Sequence, residues 1–463
     1  MDQSAQILDR LGRLHTTEIE LGFGRIRRLL ADLGDPQDHL PPVIHIAGTN
    51  GKGSVVAALG AIARAAGLRA HAYTSPHLVR FHERIALAGQ PIAEADLVRL
   101  LLRIEAVNAG RPITFFEITT AAAFLAFAEA PGDLVILETG LGGRLDATNL
   151  VARPAAVGIT RIAFDHMEFL GDTLALIAAE KAAILKPGCP AATADQHPAA
   201  GAVIRAAAQA AGAPLVEGGR DWQAAIRGGD MPGAGRPAVV GGPAAGLVIE
   251  GGPAAGDWPA PALAGDHQAG NMALALALAR IAGFAVPGLA PMADEAAMAE
   301  GLRRVVHPGR LQPVTDDLHR ALPALDPARR HRIWIDGAHN PDAMQALARQ
   351  IAGPWSDAPV LMVLGLLARK DADAVLDSLA PLGSAIRLRM VPVPGGPGHD
   401  PEHLAAAARA RGLDAAAAAD WRQAVGDAAG DPPSRILICG SLYLAGAVLA
   451  AVDAPRPAAI SAA

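Results

Sequence analysis

The stretch Val43-Ile44-His45-Ile46-Ala47-Gly48-Thr49-Asn50-Gly51-Lys52-Gly53-Ser54 decides how this chain is read. Its first five residues form a β-rich run. Glycines follow at 48, 51 and 53, and Val55 to Ala66 repeats apolar residues at helical spacing, so the segment predicts strand, loop and helix. In that frame glycines let backbone N–H groups approach phosphate oxygens, the helix N-terminus favours an anion, and Lys52 adds a point charge. The spacing is not a regular Walker A: the first glycine lies three rather than five positions before the Gly-Lys pair, and Gly53 separates Lys52 from Ser54. A Gly-rich turn with a solvated lysine is the plain alternative; the strand-to-helix frame favours nucleotide phosphate.

Outward from this segment the same rhythm returns. Short apolar strands are expected at Arg69 to Tyr73, Leu134 to Leu137 and Ala156 to Ile159, separated by helices such as Thr119 to Ala130 and Thr173 to Lys186, which implies a mostly parallel sheet covered by helices. After a helix from Gly270 to Ala282, a second alternation runs through Ile333 to Ile335, Val360 to Leu364, Ala385 to Val393 and Ile436 to Ile438. The fold class is therefore α/β with two domains, 1–303 and 304–454. Between them in character is 212–258, rich in Gly and Pro, with Gly-Gly-Pro-Ala-Ala-Gly at both 241 and 251; it reads as turns and weak strands or a mobile insertion. The tail 455–463 reads as disordered.

Composition agrees. At 463 residues the chain is about three times the ~150-residue domain prior. With 51% hydrophobic and 19% charged residues it cannot be a largely disordered chain. A net charge of −6 and 3% aromatic residues speak against a nucleic-acid partner. The two cysteines, Cys189 and Cys439, are too few for a disulfide framework. Met1 to Ser4 lacks the basic start of a signal peptide, and the apolar run Leu442 to Val452 is well short of the ~20 residues a membrane span needs, so the expectation is a cytoplasmic protein with no membrane partner.

Three further clusters carry chemistry. The strand ending in Glu138 puts a carboxylate at the carboxyl edge of the sheet before Gly140 to Asn149, where it is either a magnesium ligand or an ordinary acidic residue. Asp165-His166 follows the strand Ala156 to Thr160, and Glu180-Lys181 sits on a helix; composition alone makes His166 structural and Lys181 a solvated helix lysine. Asp336-Gly337-Ala338-His339-Asn340-Pro341 again joins strand to helix, able to bind a ribose or base or simply to cap the helix.

Taken together, several motifs resemble the folylpolyglutamate synthase and dihydrofolate synthase branch of the Mur ligase superfamily. They are Gly48 to Ser54, Tyr73 to Leu78, Phe81 to Ile85, Gly140 to Asn149, Glu180-Lys181, Gly265 to Gln268 with Asn271, His307 to Leu311 and Asp336 to Pro341. Their order and spacing agree from about Ile19 to Leu444. The resemblance implies a P-loop-type ATP-binding domain joined to a smaller Rossmann-like domain. It implies that Asn50, Gly51, Lys52, Gly53 and Ser54 cradle ATP phosphates, that Ser75, Glu138 and His166 hold magnesium, and that Lys181 carries a CO2-derived carbamate. Asn271, Arg310, Asp336 and His339 would meet the nucleotide between the domains. Phe116, Glu117, Ile118, Thr119, Leu145, Asp146 and Ala147 would meet the pterin, with help from the loop at Leu21-Gly22.

The implied reaction joins L-glutamate to dihydropteroate and to reduced folates through an acyl phosphate, by a monomer, with Lys52, Glu138, His166 and Lys181 as the catalytic set. No Ser-His-Asp or Cys-His constellation competes. His82 stands where Asn is usual and Ala183 where Gly is common. The competing readings are a monofunctional folylpolyglutamate synthase, a Mur-type cell-wall precursor ligase and a catalytically silent nucleotide-binding module.

Overall fold

The computed structural model describes residues 3–14, 21–227, 246–322, 331–427 and 434–453. Among them the chain forms two compact units that meet in sequence between His307 and Pro308.

The first unit is built on an eight-stranded sheet in the order β4-β3-β2-β5-β1-β6-β7-β8. The strands are β1 (Val43–Ala47), β2 (Ala70–Tyr73), β3 (Ile85–Leu87), β4 (Gln90–Pro91), β5 (Leu134–Glu138), β6 (Ala156–Ile159), β7 (Ala191–Thr193) and β8 (Leu215–Glu217). From β2 through β8 every pairing is parallel, and only the β2–β3 and β3–β4 pairs are antiparallel. All five residues of β1 and of β5 are buried, as strands covered on both faces must be. Side chains alternate between two cores. Ile44, Ile46, Leu134 and Ile136 pack with the helices Lys52–Ala65 and His267–Ala285, while Val43, Val135, Leu137 and Tyr73 pack with Phe115–Glu129 and Glu94–Asn108.

One expectation is corrected here. The helix predicted over Thr173 to Lys186 spans only Leu174–Ala182, with Ala183 as its C-cap; Pro187, four residues after Ala183, has no N–H for that carbonyl and its ring would clash with it in a continued helix. Of the alternatives for the Gly- and Pro-rich region, its described part takes the strands: β9 (Trp222–Arg227), β10 (Gly246–Gly251) and β11 (Gly256–Pro259) form an antiparallel sheet whose Trp222, Leu247, Ile249 and Trp258 are buried in the first core. Residues 228–245 of that region, 323–330 and the tail 455–463 lie outside the described residues.

The second unit carries a six-stranded sheet, β12-β13-β17-β14-β15-β16, parallel except for the β12–β13 pair. Its strands are β12 (Gln312–Pro313), β13 (Arg332–Ile335), β14 (Val360–Leu364), β15 (Ile386–Met390), β16 (Asp414–Ala417) and β17 (Arg435–Cys439). The structure is thus α/β with mostly parallel sheets. Among the described residues no helix is long and apolar enough to cross a membrane.

Candidate active site

Four adjacent parallel strands, β2, β5, β1 and β6, end at one edge of the first sheet, where open α/β folds bind ligands. Off those ends come Ser75 after β2, Glu138 at the end of β5, the loop Gly48–Gly51 after β1, and His166 after β6. Sequence separations of tens of residues collapse onto one rim.

The loop is held from outside. Thr49 N and Asn50 N donate to Arg161 O at 3.0 and 3.2 Å, and the Thr49 hydroxyl donates to Ala163 O at 3.1 Å. Gly51 lies at φ 91°, where a side chain is strained, and a Cβ there would stand 2.2 Å from Asn271 Oδ1. Asn271, on the buried helix His267–Ala285, is itself fixed by donating from Nδ2 to Gln268 Oε1 at 2.9 Å. The helix Lys52–Ala65 starts directly after Gly51 with no side-chain cap, so its first N–H groups point into the loop.

Two amines converge on one carbonyl of that loop. Lys52 Nζ donates to Gly48 O at 3.2 Å and to Thr49 O at 3.2 Å, and Lys181 Nζ donates to Gly48 O at 2.9 Å. Glu138 Oε1 stands 3.8 Å from Lys52 Nζ. Lys181 is buried rather than solvated, which reverses the composition-only reading, and burial together with the nearby Lys52 charge lowers its amine to about 7. His166 takes a left-handed backbone, φ 52°, ahead of the short helix Met167–Leu170, and its N–H donates to Asp165 Oδ1 at 2.9 Å.

The residues expected to meet a pterin divide. Phe116 and Leu145 are partly exposed, and the Phe116 ring lies so close over Gly140 that a Cβ there would be 2.2 Å from its Cζ. Ile118 and Thr119 have no exposed surface, and Ala147 is buried in the same core, so these three contribute packing. The Thr119 hydroxyl is engaged by Tyr73 OH at 2.9 Å. Glu117 closes a capping box, its Oε2 accepting from Thr114 N at 2.8 Å and from Arg25 Nε at 2.9 Å. Asp146 spends its carboxylate on its own loop, with Oδ2 accepting from Leu141 N at 2.8 Å and Oδ1 from Thr148 N and Oγ1 at 3.0 and 2.6 Å; burial pushes its carboxyl pKa up.

In the second unit Asp336 accepts from Leu311 N at 2.8 Å and Ala338 N at 2.7 Å, His339 Nδ1 donates to Gly337 O at 2.7 Å, and a Cβ on Gly337 would stand 2.9 Å from Arg310 Nη1. The structure therefore brings Arg310, Asp336 and His339 together. The helix that follows, Pro341–Ala352, is capped by Asn340 rather than by Asp336.

The sequence reading missed Glu83, which closes the loop after Ser75 by accepting from Leu78 N, Val79 N and Arg80 N at 2.7, 2.9 and 2.7 Å. Its only sequence signal was membership of the Phe81 to Ile85 motif. Among the described residues no three His, Cys, Asp or Glu gather as a metal cluster.

Residues 325–442 match the Mur ligase glutamate ligase domain. The chain is 34% identical to folylpolyglutamate synthase of Lacticaseibacillus casei over 92% of each chain, and 33% identical to dihydrofolate synthase/folylpolyglutamate synthase of Escherichia coli over 98% of this chain and 96% of that one. This chain belongs to the folylpolyglutamate synthase/dihydrofolate synthase family. Solved members of the family share its architecture. A Mycobacterium tuberculosis folylpolyglutamate synthase complexed with ADP and AMPPCP has a TM-score of 0.80 at 31% identity, covering 98% of this chain and 100% of that one. E. coli FolC in complex with DHPP and ADP has a TM-score of 0.80 at 31% identity, covering 97% of each.

Proposed function

We propose that this chain is an ATP-dependent ligase that joins L-glutamate to dihydropteroate, forming dihydrofolate, and to reduced folates, forming folylpolyglutamates. The observation that carries the reading is the convergence of Lys52 and Lys181 on Gly48 O, beside Glu138 and at the mouth of an uncapped helix. That set neutralises charge on a transferring phosphoryl group; it contains no side chain poised to attack a carbonyl.

The acceptor carboxylate attacks the γ-phosphorus of ATP and ADP leaves, giving an acyl phosphate. The unprotonated amine of glutamate then attacks the acyl carbon, the amide bond forms, and phosphate departs. Lys52 and the N–H groups of Gly51 to Ser54 hold the phosphate oxygens through both charge build-up and release, with Asn50 shaping the loop through its bond to Arg161 O. Ser75, Glu138 and His166, at or beyond the ends of three strands of one rim, are the residues that would hold Mg2+. When bound, that ion supplies Lewis-acid charge to the transferring phosphoryl group.

Lys181 fits a carbamate. An amine lowered to about 7 is substantially unprotonated at neutral pH, and the free base is the form that adds CO2, forming an N–C bond and releasing one proton. The product is an anion, so the like-charge conflict with Lys52 becomes an attraction. Asn271, Arg310, Asp336 and His339 are assigned to the nucleotide, and Phe116 and Leu145 to the pterin. Residues 1–303 serve as the ATP-binding and catalytic domain and 304–454 as the glutamate ligase domain of a cytoplasmic monomer.

The test offers purified protein ATP, Mg2+ and L-glutamate with dihydropteroate in one tube and tetrahydrofolate monoglutamate in another, following ADP and product mass. Glutamate addition in both is the expected result, and addition in one alone leaves a single activity. ADP release that depends on neither acceptor overturns the reading.

A further inference from the structure

β1 is buried along its whole length, and four of its five residues are apolar; the fifth is His45. A polar ring in the middle of such a strand needs a reason. By strand alternation His45 shares the face of Val43, and its Nε2 lies 2.9 Å from Thr148 Oγ1. The Thr148 hydroxyl already commits its proton to Asp146 Oδ1 at 2.6 Å, so the His45–Thr148 bond runs from an Nε2–H donor. That tautomer leaves Nδ1 a bare acceptor, and it is buried with no hydrogen-bond partner. Burial, aided by the Lys186 charge, lowers the imidazole to about 3, so the ring is neutral. Stranding a buried ring nitrogen is unfavourable, and Val or Ile would avoid it. What His45 offers in return is one hydrogen bond.

We infer that His45 is a positioning residue for the pterin-bearing acceptor, holding through Thr148 and Asp146 the corner Leu145–Ala147 in register with the phosphate loop that its own strand ends in. The inference rests on the acceptor reading of that corner given above. Asp146 alone fixes the corner only locally, through Leu141 N and Thr148 N. His45 ties it to β1, two residues before Ala47 and three before Gly48. One rigid strand then carries the phosphate loop at its end and the anchor of the acceptor loop in its middle, so the attacking carboxylate and the γ-phosphorus are placed by a common element. Positioning of this kind acts on acceptor binding and leaves the nucleotide side alone.

The experiment compares steady-state kinetics of wild type, His45→Leu, which keeps volume and removes the donor, and His45→Gln, which returns an N–H at similar reach. Thr148→Val against Thr148→Ser repeats the comparison from the other end of the bond and stands in if His45→Leu does not fold. His45→Leu is expected to raise KM for dihydropteroate about tenfold while kcat and KM for ATP stay within about twofold, with His45→Gln recovering most of the loss. Hydrogen exchange at the Leu141 and Thr148 amides should rise in the same variants. An unchanged dihydropteroate KM in His45→Leu, a parallel rise in KM for ATP, or no recovery with Gln overturns the inference while leaving the acceptor reading standing. Wild-type protein that turns over tetrahydrofolate monoglutamate but not dihydropteroate, with Leu145→Ala also silent on the folate KM, removes the acceptor reading and this inference with it.

Discussion

Two strand–turn–helix junctions in this molecule look alike in sequence and differ in what they leave available. At the first, β1 runs through Gly48–Gly51 into the helix Lys52–Ala65, whose N-cap is Gly51 with no side-chain cap. At the second, β13 runs through Asp336–Asn340 into the helix Pro341–Ala352. There Asn340 Oδ1 accepts from Ala343 N at 3.0 Å, and Pro341 at the first helical position has no N–H to satisfy. Asp336 spends both oxygens on backbone N–H groups of its own unit. The first helix end carries no side-chain cap, and the second is capped from within. What the second junction can offer a ligand is the side chains around it, Arg310, Asp336 and His339, rather than the end of a helix.

Substitutions that break this contrast rank by size. Lys52→Ala removes the point charge from the open junction and is expected to lower kcat about 10³-fold with the fold intact, read by ADP release and a thermal melt. Gly51→Ala closes the junction sterically. Left-handed strain of about 1–2 kcal/mol adds to the clash with Asn271, and kcat/KM for ATP should fall about a hundredfold.

A pH experiment sharpens the contrast, because the first junction has the buried amine of Lys181 beside it. The ordinary lysine value is 10.5, and in the folded chain Lys181 is lowered to about 7. Below about pH 7 the folded amine is protonated, and its free-base fraction falls about tenfold per pH unit. Reactivation by bicarbonate of CO2-depleted enzyme should follow that fall and vanish in Lys181→Ala. The linked stability has a definite sign: between pH 7 and 10.5 the unfolded chain holds a proton the folded chain has released, so this lysine makes stability rise with pH there, and Lys181→Met should flatten the rise. The smallest effect belongs to the closed junction. Asn340→Ala should cost about 1 kcal/mol in denaturant unfolding and move kcat by no more than about twofold.

The sheet frame was legible because parallel strands covered on both faces read as near-continuous apolar runs: β5, β6, β14 and β17 appear in sequence as such runs, as does β1 apart from His45. β7, with Ala191-Ala192-Thr193, and β16, with Asp414-Ala415-Ala416-Ala417, were not seen, because alanine has little preference for a strand and pairing with β6 or β15 decides the matter. For the antiparallel sheet β9–β11 the sequence leaves turns, weak strands and a mobile insertion open, since its glycines and prolines mask the two tryptophans that bury it. Within the site, Lys52 could be read from its loop. Lys181 could not, because a helix of alanines around one lysine looks solvated until the neighbouring elements remove the water.

Local sequence, then, determined the alternation of the main apolar strands with helices, the glycines of the loop after β1 and the family to which the chain belongs, because those depend on backbone preference and on patterns a few residues long. Tertiary structure alone decided which of two similar helix ends stays open, which of the pterin-segment residues reach solvent, and that His45, Thr148 and Asp146 form one chain of hydrogen bonds. The physical reason is that exposure, proton affinity and the sharing of a donor are properties of the surroundings. For Lys181 and Thr148 those surroundings include Gly48 and His45, each more than a hundred positions away.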